Sequence, residues 1–334
     1  MGTLRRGRHL WQQAVGTDNY SNNKRYRGMK LTFIDDYELA AITAEGSVSL
    51  AMAATELDML PPQQRINRVI EDWVYWRPKL EAAATAGTAR PLADVRIRAP
   101  LPKPTALVCM AVNYMENGTL KQKPQQQAFF KNPHSVIGEG DTMHLPDHPA
   151  SIFEGEAELA LVIGRKATRV PEANAYNYVF GYLNFVDGSA RGLTGGMGLP
   201  YAMKGQDDFA PLGPWITTAD EVENPMKLNV KQWVNGKVTH NYNTDDMAHD
   251  IPASVHFVTS NTSLEPGDVI ALGTNHGGLH PLQHGDVVEQ EIEGLGRLKF
   301  NVTDDLKRTW ERATRAERGK DGPAPQLSGK YKPE

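Results

Sequence analysis

The stretch Phe153–Gly164, FEGEAELALVIG, sets three glutamates against a run that reads as buried strand. Side chains on a strand alternate faces. Glu154, Glu156 and Glu158 therefore share one face with Ala160 and Val162, while Ala157, Leu159, Leu161 and Ile163 take the other. Both faces turn apolar toward the C-terminal end, which carries Glu156 and Glu158 to the edge of a core. Glutamate is depleted in strands, and an unpaired buried carboxylate must be neutralised or find a cation. A metal ion resolves the conflict; an acidic edge strand facing water is the plain alternative. A second strand-like run, Tyr178–Arg191 (YVFGYLNFVDGSAR), ends in a single acid, Asp187. Two carboxylates at i and i+2 and a third from a following strand make an all-oxygen cluster. Such a cluster suits Mg²⁺, Mn²⁺ or Ca²⁺ rather than zinc or copper. Three protein ligands leave positions open for substrate or water.

These strands must sit in a fold of some size. A chain of 334 residues accommodates one large domain, or one large and one small. The expected class is α+β and β-rich. Residues 1–28 are polar, basic and aperiodic, and read as a disordered or non-native extension. Residues 29–103 form a small N-terminal α+β domain, closed by the proline cluster Pro100, Pro102 and Pro104. Within it Ile66, Val69, Ile70, Trp73 and Leu80 recur at helical spacing, with Pro78 interrupting. Trp73 and Trp76 are read as packing residues. Residues 104–302 carry short strands bounded by Gly, Pro and Asn. There Asn235-Gly236 signals a type I′ hairpin and Pro252–Thr259 a short helix. Residues 303–334 are a charged tail, expected on the surface or reaching over a neighbouring subunit.

Composition narrows the function classes. A net charge of −4 gives no support to a nucleic-acid partner. No apolar run is long enough for a membrane span, and the N-terminal arginines precede nothing like a signal-peptide core. The expected location is cytoplasmic. Cys109, the single cysteine, lies in an apolar strand and reads as core rather than nucleophile.

The pieces Glu156–Gly164, Gly181–Arg191 and Lys204–Trp215 follow the pattern E-x-E-L-A-x-V-I-G, G-Y-x-x-x-x-D-x-S-A-R and K-x-x-D-x-F-A-P-x-G-P-W. With Leu107–Tyr114, the F-x-K segment in Phe129–Gly140, Leu264–Gly273 and Gly285–Leu298, the chain resembles the fumarylacetoacetate hydrolase (FAH) family. The resemblance implies mixed β-sheets rolled around a metal site, in a homodimer. It implies Glu156, Glu158 and Asp187 as ligands of Mg²⁺ or Mn²⁺ (Ca²⁺ as a further option), with Glu154 facing solvent. Its motif context makes Lys204 a cation beside the metal that stabilises developing enolate charge, with Asp207 orienting it. Thr274 and Gly273 sit in a turn, Gly273–Gly278, whose backbone amides suit an anionic oxygen, a plain hairpin loop being the alternative. Tyr114 and Arg191 are candidate substrate contacts, Arg191 being favoured as a structural salt bridge. His276, His280 and His284 are spaced four apart, but Gly277, Gly278 and Pro281 forbid a helix there, so the spacing is read as coincidence.

One departure bears on the reaction. Hydrolytic members carry N-Y-x-x-H-x-x-E, whose His–Glu pair activates water. Here Asn117 and Leu120 stand at those two positions, leaving Glu116 as the neighbouring candidate. An asparagine has no useful general-base pKa. The leading expectation is a metal-dependent enzyme acting on a 2-oxo acid or β-dicarbonyl compound through an enolate. C–C hydrolysis of an acylpyruvate-like catabolite stands first, with aromatic-ring or sugar-acid catabolism as its setting by family analogy. An isomerase, decarboxylase or hydratase/lyase is the alternative raised by Asn117 and Leu120, and a non-catalytic ligand-binding homologue is the third reading.

Overall fold

A computed structural model describes residues 28–194, 198–319 and 323–333. The proposed extension thus lies outside the described residues save for Gly28, as do residues 195–197 of the glycine-rich loop. The chain opens with a meander, β1 (Lys30–Ile34), β2 (Glu38–Thr43) and β3 (Gly46–Ser49), followed by helices α1 (Pro62–Glu71) and α2 (Trp73–Ala86). Then β4 (Ile97–Arg98), β5 (Leu107–Ala111), β6 (Gln127–Lys131), β7 (Val136–Ile137) and β8 (Thr142–His144) lead to two long strands, β9 (Ile152–Ile163) and β10 (Val179–Arg191). A short helix α3 (Pro200–Lys204) precedes β11 (Ala210–Thr218), the hairpin β12 (Asn229–Val234)–β13 (Lys237–Asn243) and α4 (Ile251–Asn261). Next come β14 (Val269–Ala271), β15 (Val287–Ile292) and β16 (Arg297–Thr303), and finally β17 (Thr309–Trp310), α5 (Arg315–Arg318) and β18 (Gln326–Ser328).

The strands form an 11-stranded sheet in the order β3-β2-β1-β11-β10-β9-β14-β5-β6, with β4 on β1 and β7 on β11. A second sheet runs β13-β12-β15-β16-β8. The fold is mixed α+β and strand-rich. Strands from both sides of the proline cluster share the large sheet, since β1 pairs antiparallel with β11. The helical spacing resolves into two helices. Ile66, Val69 and Ile70 bury one face of α1, and the break falls at Asp72 (φ −104°, ψ 35°) rather than at Pro78. Pro78 lies inside α2; its missing N–H would have met the carbonyl of Val74, a residue on the exposed side of the helix. At the β12–β13 turn Asn235 and Gly236 both take positive φ (52° and 78°), as a type I′ turn requires.

β9 is the keel of the structure. All of its 12 residues are buried, and the alternation predicted from sequence divides them between two cores. Ala160 and Val162 enter one cluster with Phe33, Leu183 and Phe185. Ala157, Leu159, Leu161 and Ile163 enter another with Tyr114, Tyr242 and Val255. A third cluster holds Phe153, Phe209, Phe300 and Trp310. Part of the tail expected on the surface is therefore core. Arg308 is fully buried, bonded to Asp304 (2.9 and 3.0 Å) and to the carbonyls of Pro146 and His148. Tail arginines and Trp310 find carboxylate, carbonyl and apolar partners on the chain's own surface, which removes the reason for them to stay in water.

Candidate active site

The register of β9 on β10 sets Asp187 opposite Glu156 and Phe185 opposite Glu158. One oxygen from each of Glu156, Glu158 and Asp187 can be chosen so that all lie within 4.8 Å of one another, and all three residues are buried. Gly188 leaves room for this turn of the strand: a Cβ there would stand 2.8 Å from the Phe209 ring. Two lysines serve the cluster. Lys204, at the end of α3, donates to Glu156, to Asp187 and to the Ser189 hydroxyl (2.6 Å). Ser189 in turn donates to Glu156 Oε1 at 2.7 Å. Lys131, fully buried on β6, donates to Asp187 Oδ1 (2.6 Å) and to the carbonyls of Gly188 (3.0 Å) and Lys204 (2.6 Å). Among the described residues no lysine or arginine bonds Glu158; its Oε2 accepts the Gly273 amide at 2.7 Å.

This uneven distribution sets the electrostatics. For Glu156, burial opposes ionisation, but Lys204, Arg191 and His276 outweigh it and hold the carboxyl well below its ordinary range. For Glu158, burial and then repulsion from Asp187 and Glu156 push the carboxyl well above that range. Burial would lower the Lys204 ammonium, yet Asp187 and Glu156 raise it, so Lys204 stays charged. The donor set is all oxygen and short of positive charge at Glu158. A hard divalent cation fits it.

The described residues around the carboxylates leave several buried polar atoms without a protein partner. They include the Tyr114 hydroxyl, Thr274 Oγ1 and both ring nitrogens of His240. Tyr114 and Thr274 lie within reach of the Tyr242 hydroxyl, whose own proton goes to the Ala157 carbonyl at 2.5 Å. Burial pushes His240 down to about 3, so its ring is neutral. Unsatisfied polar atoms are rare in folded interiors and mark where a ligand or water belongs.

Several sequence expectations change here. Glu154 does not face solvent: it is buried and held by Arg191 Nε (2.7 Å) and Arg315 Nη2 (2.8 Å). Two guanidinium groups supply what water would have. Arg191 also donates to Glu156 Oε1 at 2.6 Å, so its donors are engaged by carboxylates. Asp207 is exposed and makes no hydrogen bond to Lys204, whose ammonium is taken up by Glu156, Asp187 and Ser189. The Gly273 amide, offered to an external anion in the sequence reading, is occupied by Glu158. Lys131 and Ser189 were missed, although Lys131 is the lysine of the F-x-K segment and stands in a strand among aromatics.

The three histidines of the 276–284 loop diverge, in keeping with coincidental spacing. His284 Nδ1 lies 3.1 Å from the Thr303 hydroxyl. His280 is pushed down to about 4 by burial and nearby Arg312. His276 has a partner that the sequence did not reveal: its Nδ1 lies 2.5 Å from Glu116 Oε1, and its backbone amide donates to Glu116 Oε2 at 2.9 Å. Asn117 and Leu120 leave the usual positions of a His–Glu pair empty of both residue types, yet a His–Glu pair is present.

The model of the fumarylacetoacetate (FAA) hydrolase C-terminal family matches residues 106–303. The oxaloacetate tautomerase YisK of Bacillus subtilis is 33% identical over 223 residues, which make up 63% of this chain and 74% of that protein. The maleylpyruvate hydrolase of Sphingobium sp. SYK-6, solved with manganese(II) and pyruvate, superposes with a TM-score of 0.75 at 31% identity, covering 83% of this chain and 99% of that one. The 2-hydroxyhepta-2,4-diene-1,7-dioate isomerase of Mycobacterium marinum gives 0.64 at 29% identity, over 83% and 99%. With its strand-rich fold and the carboxylate cluster at the β9–β10 seam, the chain is a hydrolase or isomerase/lyase that belongs to the fumarylacetoacetate hydrolase family.

Proposed function

We propose that Glu156, Glu158 and Asp187 hold one Mg²⁺ or Mn²⁺ ion and that the site turns over a 2-oxo acid or β-dicarbonyl compound through its enolate. The observation that carries this reading is Glu158, a buried carboxylate pressed against two others and bonded by no lysine or arginine among the described residues. The bound ion would supply Lewis-acid charge to the substrate oxygens. Lys204, charged and already at the cluster, balances the negative charge that develops on the enolate oxygen. The unpartnered hydroxyls of Thr274 and Tyr114 would hold the substrate carboxylate in this reading. Arg191 and Lys131 fix the ligand carboxylates rather than the substrate. The manganese and pyruvate bound to the Sphingobium hydrolase support the ion and the 2-oxo acid class.

C–C hydrolysis of an acylpyruvate is the reaction we place first. Keto–enol tautomerisation is the second reading, favoured by Asn117 and Leu120 at the positions of the usual water-activating pair and by the B. subtilis relative. We also propose a homodimer, which light scattering at micromolar concentration tests directly. The functional test runs both reactions side by side, with Mg²⁺ and with EDTA, on the wild type and on Glu158→Gln. The variant should bind Mn²⁺ far more weakly and lose both activities. Unchanged Mn²⁺ titration in the variant would remove the site, and ion binding without turnover of either substrate class would favour a non-catalytic homologue.

A further inference from the structure

We propose that His276, oriented by Glu116, is the proton-transfer group of this site, and that Asp246 is the positioning residue that clips the two loops carrying them. The assignment rests on the enolate reading above. Its ground is a contact between residues 160 positions apart that no motif in the chain predicts. A carboxylate only accepts, so the proton between the two side chains belongs to His276 Nδ1. In the neutral ring that leaves Nε2 with its lone pair, the state a general base needs. No described residue hydrogen-bonds Nε2, and both side chains are part-exposed rather than sealed in the core.

The position is right for chemistry. His276 follows Gly273, whose amide holds Glu158, and Thr274, whose hydroxyl is unpartnered. His276 is close enough to Glu156 for the two groups to interact electrostatically. The Glu116 side is built with effort: Glu116 and Asn117 both adopt left-handed backbone (φ 54° and 55°) without being glycine. Such conformations persist where surrounding contacts impose them. Asp246 supplies those contacts. Its Oδ2 accepts the Asn117 amide (2.8 Å) and the Asn275 side chain (3.3 Å), and its carbonyl accepts the Met115 amide (2.9 Å). One aspartate thus ties the Glu116 loop to the His276 turn.

The steps balance without a further reagent. In hydrolysis Nε2 takes a proton from water as the water oxygen bonds to the acyl carbonyl carbon. The C–C bond then breaks, its electron pair forming the enolate of the departing 2-oxo acid, and the proton on Nε2 passes to C3 of that enolate. In tautomerisation Nε2 takes the C3 proton and returns it to the enolate oxygen. The rival account is a structural tie between two loops, with no part in proton transfer.

The experiment follows C3 proton exchange of pyruvate in D₂O with Mg²⁺ by NMR, on the full chain and on His276→Gln, Glu116→Gln and Asp246→Asn. His276→Gln should exchange on the order of 10²–10⁴-fold more slowly at unchanged Mn²⁺ affinity. Glu116→Gln and Asp246→Asn should lose part of the rate. In ¹⁵N spectra of the ion-free wild type at neutral pH, His276 should be the Nδ1–H tautomer, and both of those variants should shift it toward a mixture with Nε2–H. Exchange within threefold of wild type in His276→Gln would overturn the proposal, as would an Nε2–H tautomer in the wild type. No Mg²⁺-dependent exchange in the wild type itself would instead overturn the enolate reading, and this assignment with it.

Discussion

Replacing Lys131 by Met tests whether the buried charges are as interdependent as their geometry implies. The methionine keeps the apolar stem but removes three hydrogen bonds, to Asp187 Oδ1 and to the carbonyls of Gly188 and Lys204. Deleting one partner of a buried ion pair costs about 3–5 kcal/mol, because the other charge is left behind. Asp187 retains Lys204 on its second oxygen, so the lower end, about 3 kcal/mol, is expected. Equilibrium urea unfolding in EDTA measures it. Adding Mg²⁺ or Mn²⁺ should then narrow the gap. An ion at a hundredfold excess over its Kd stabilises any binder by about 2.7 kcal/mol, and the variant, with one competing cation fewer beside Asp187, should bind it more tightly than the wild type does. A loss below about 1 kcal/mol in EDTA would refute the pairing argument. A loss that the ion leaves unchanged would refute the placement of the ion at Asp187.

Two further outcomes follow from the geometry. Burial pushes Glu139 up to about 7 against the Lys299 amide that bonds it. Its folded value exceeds the unfolded one, so the stability it contributes is present below about pH 4.5 and is lost as pH rises through about 7. Glu139→Gln should flatten the decline in thermal stability between pH 5 and 8 by on the order of 1–2 kcal/mol, allowing for its partial exposure; parallel curves would contradict this. Gly188→Ala drives a Cβ into the Phe209 ring. It should cost about 1–3 kcal/mol by calorimetry and weaken Mn²⁺ binding through the adjacent Asp187, and an unaltered protein would show that β10 can shift there freely.

What the sequence made legible was local and periodic. The alternation along Phe153–Gly164 assigned its faces to two cores, because a strand has only two sides and apolar residues filled both. The Asn235-Gly236 turn could be read because few residue pairs tolerate that backbone. Contacts between distant segments were not legible. Nothing near Glu154 announces Arg315, which lies 161 positions away, and nothing near His276 announces Glu116. A lone lysine in a strand such as QAFFK reads as a surface charge until β6 is known to face Asp187 across the sheet. The helix break was misplaced because proline is a conspicuous punctuator, whereas Asp72 breaks the helix by its backbone conformation alone.

The full-length pairing of β9 with β10 has a consequence for how ions come and go. The amides of Glu156 to Leu161 lie on a fully buried strand paired along its length with β10, and amides of such core ladders exchange hydrogen mostly in rare, large openings. The proposed ligand carboxylates are anchored to that ladder, whereas Glu116 and His276 lie outside the strands. Ion exchange, which needs only those loops and side chains to move, should run orders of magnitude faster than exchange of these amides. A sample loaded with Mn²⁺ and diluted into Mg²⁺ would swap its metal while the deuterium pattern of β9 stayed almost untouched.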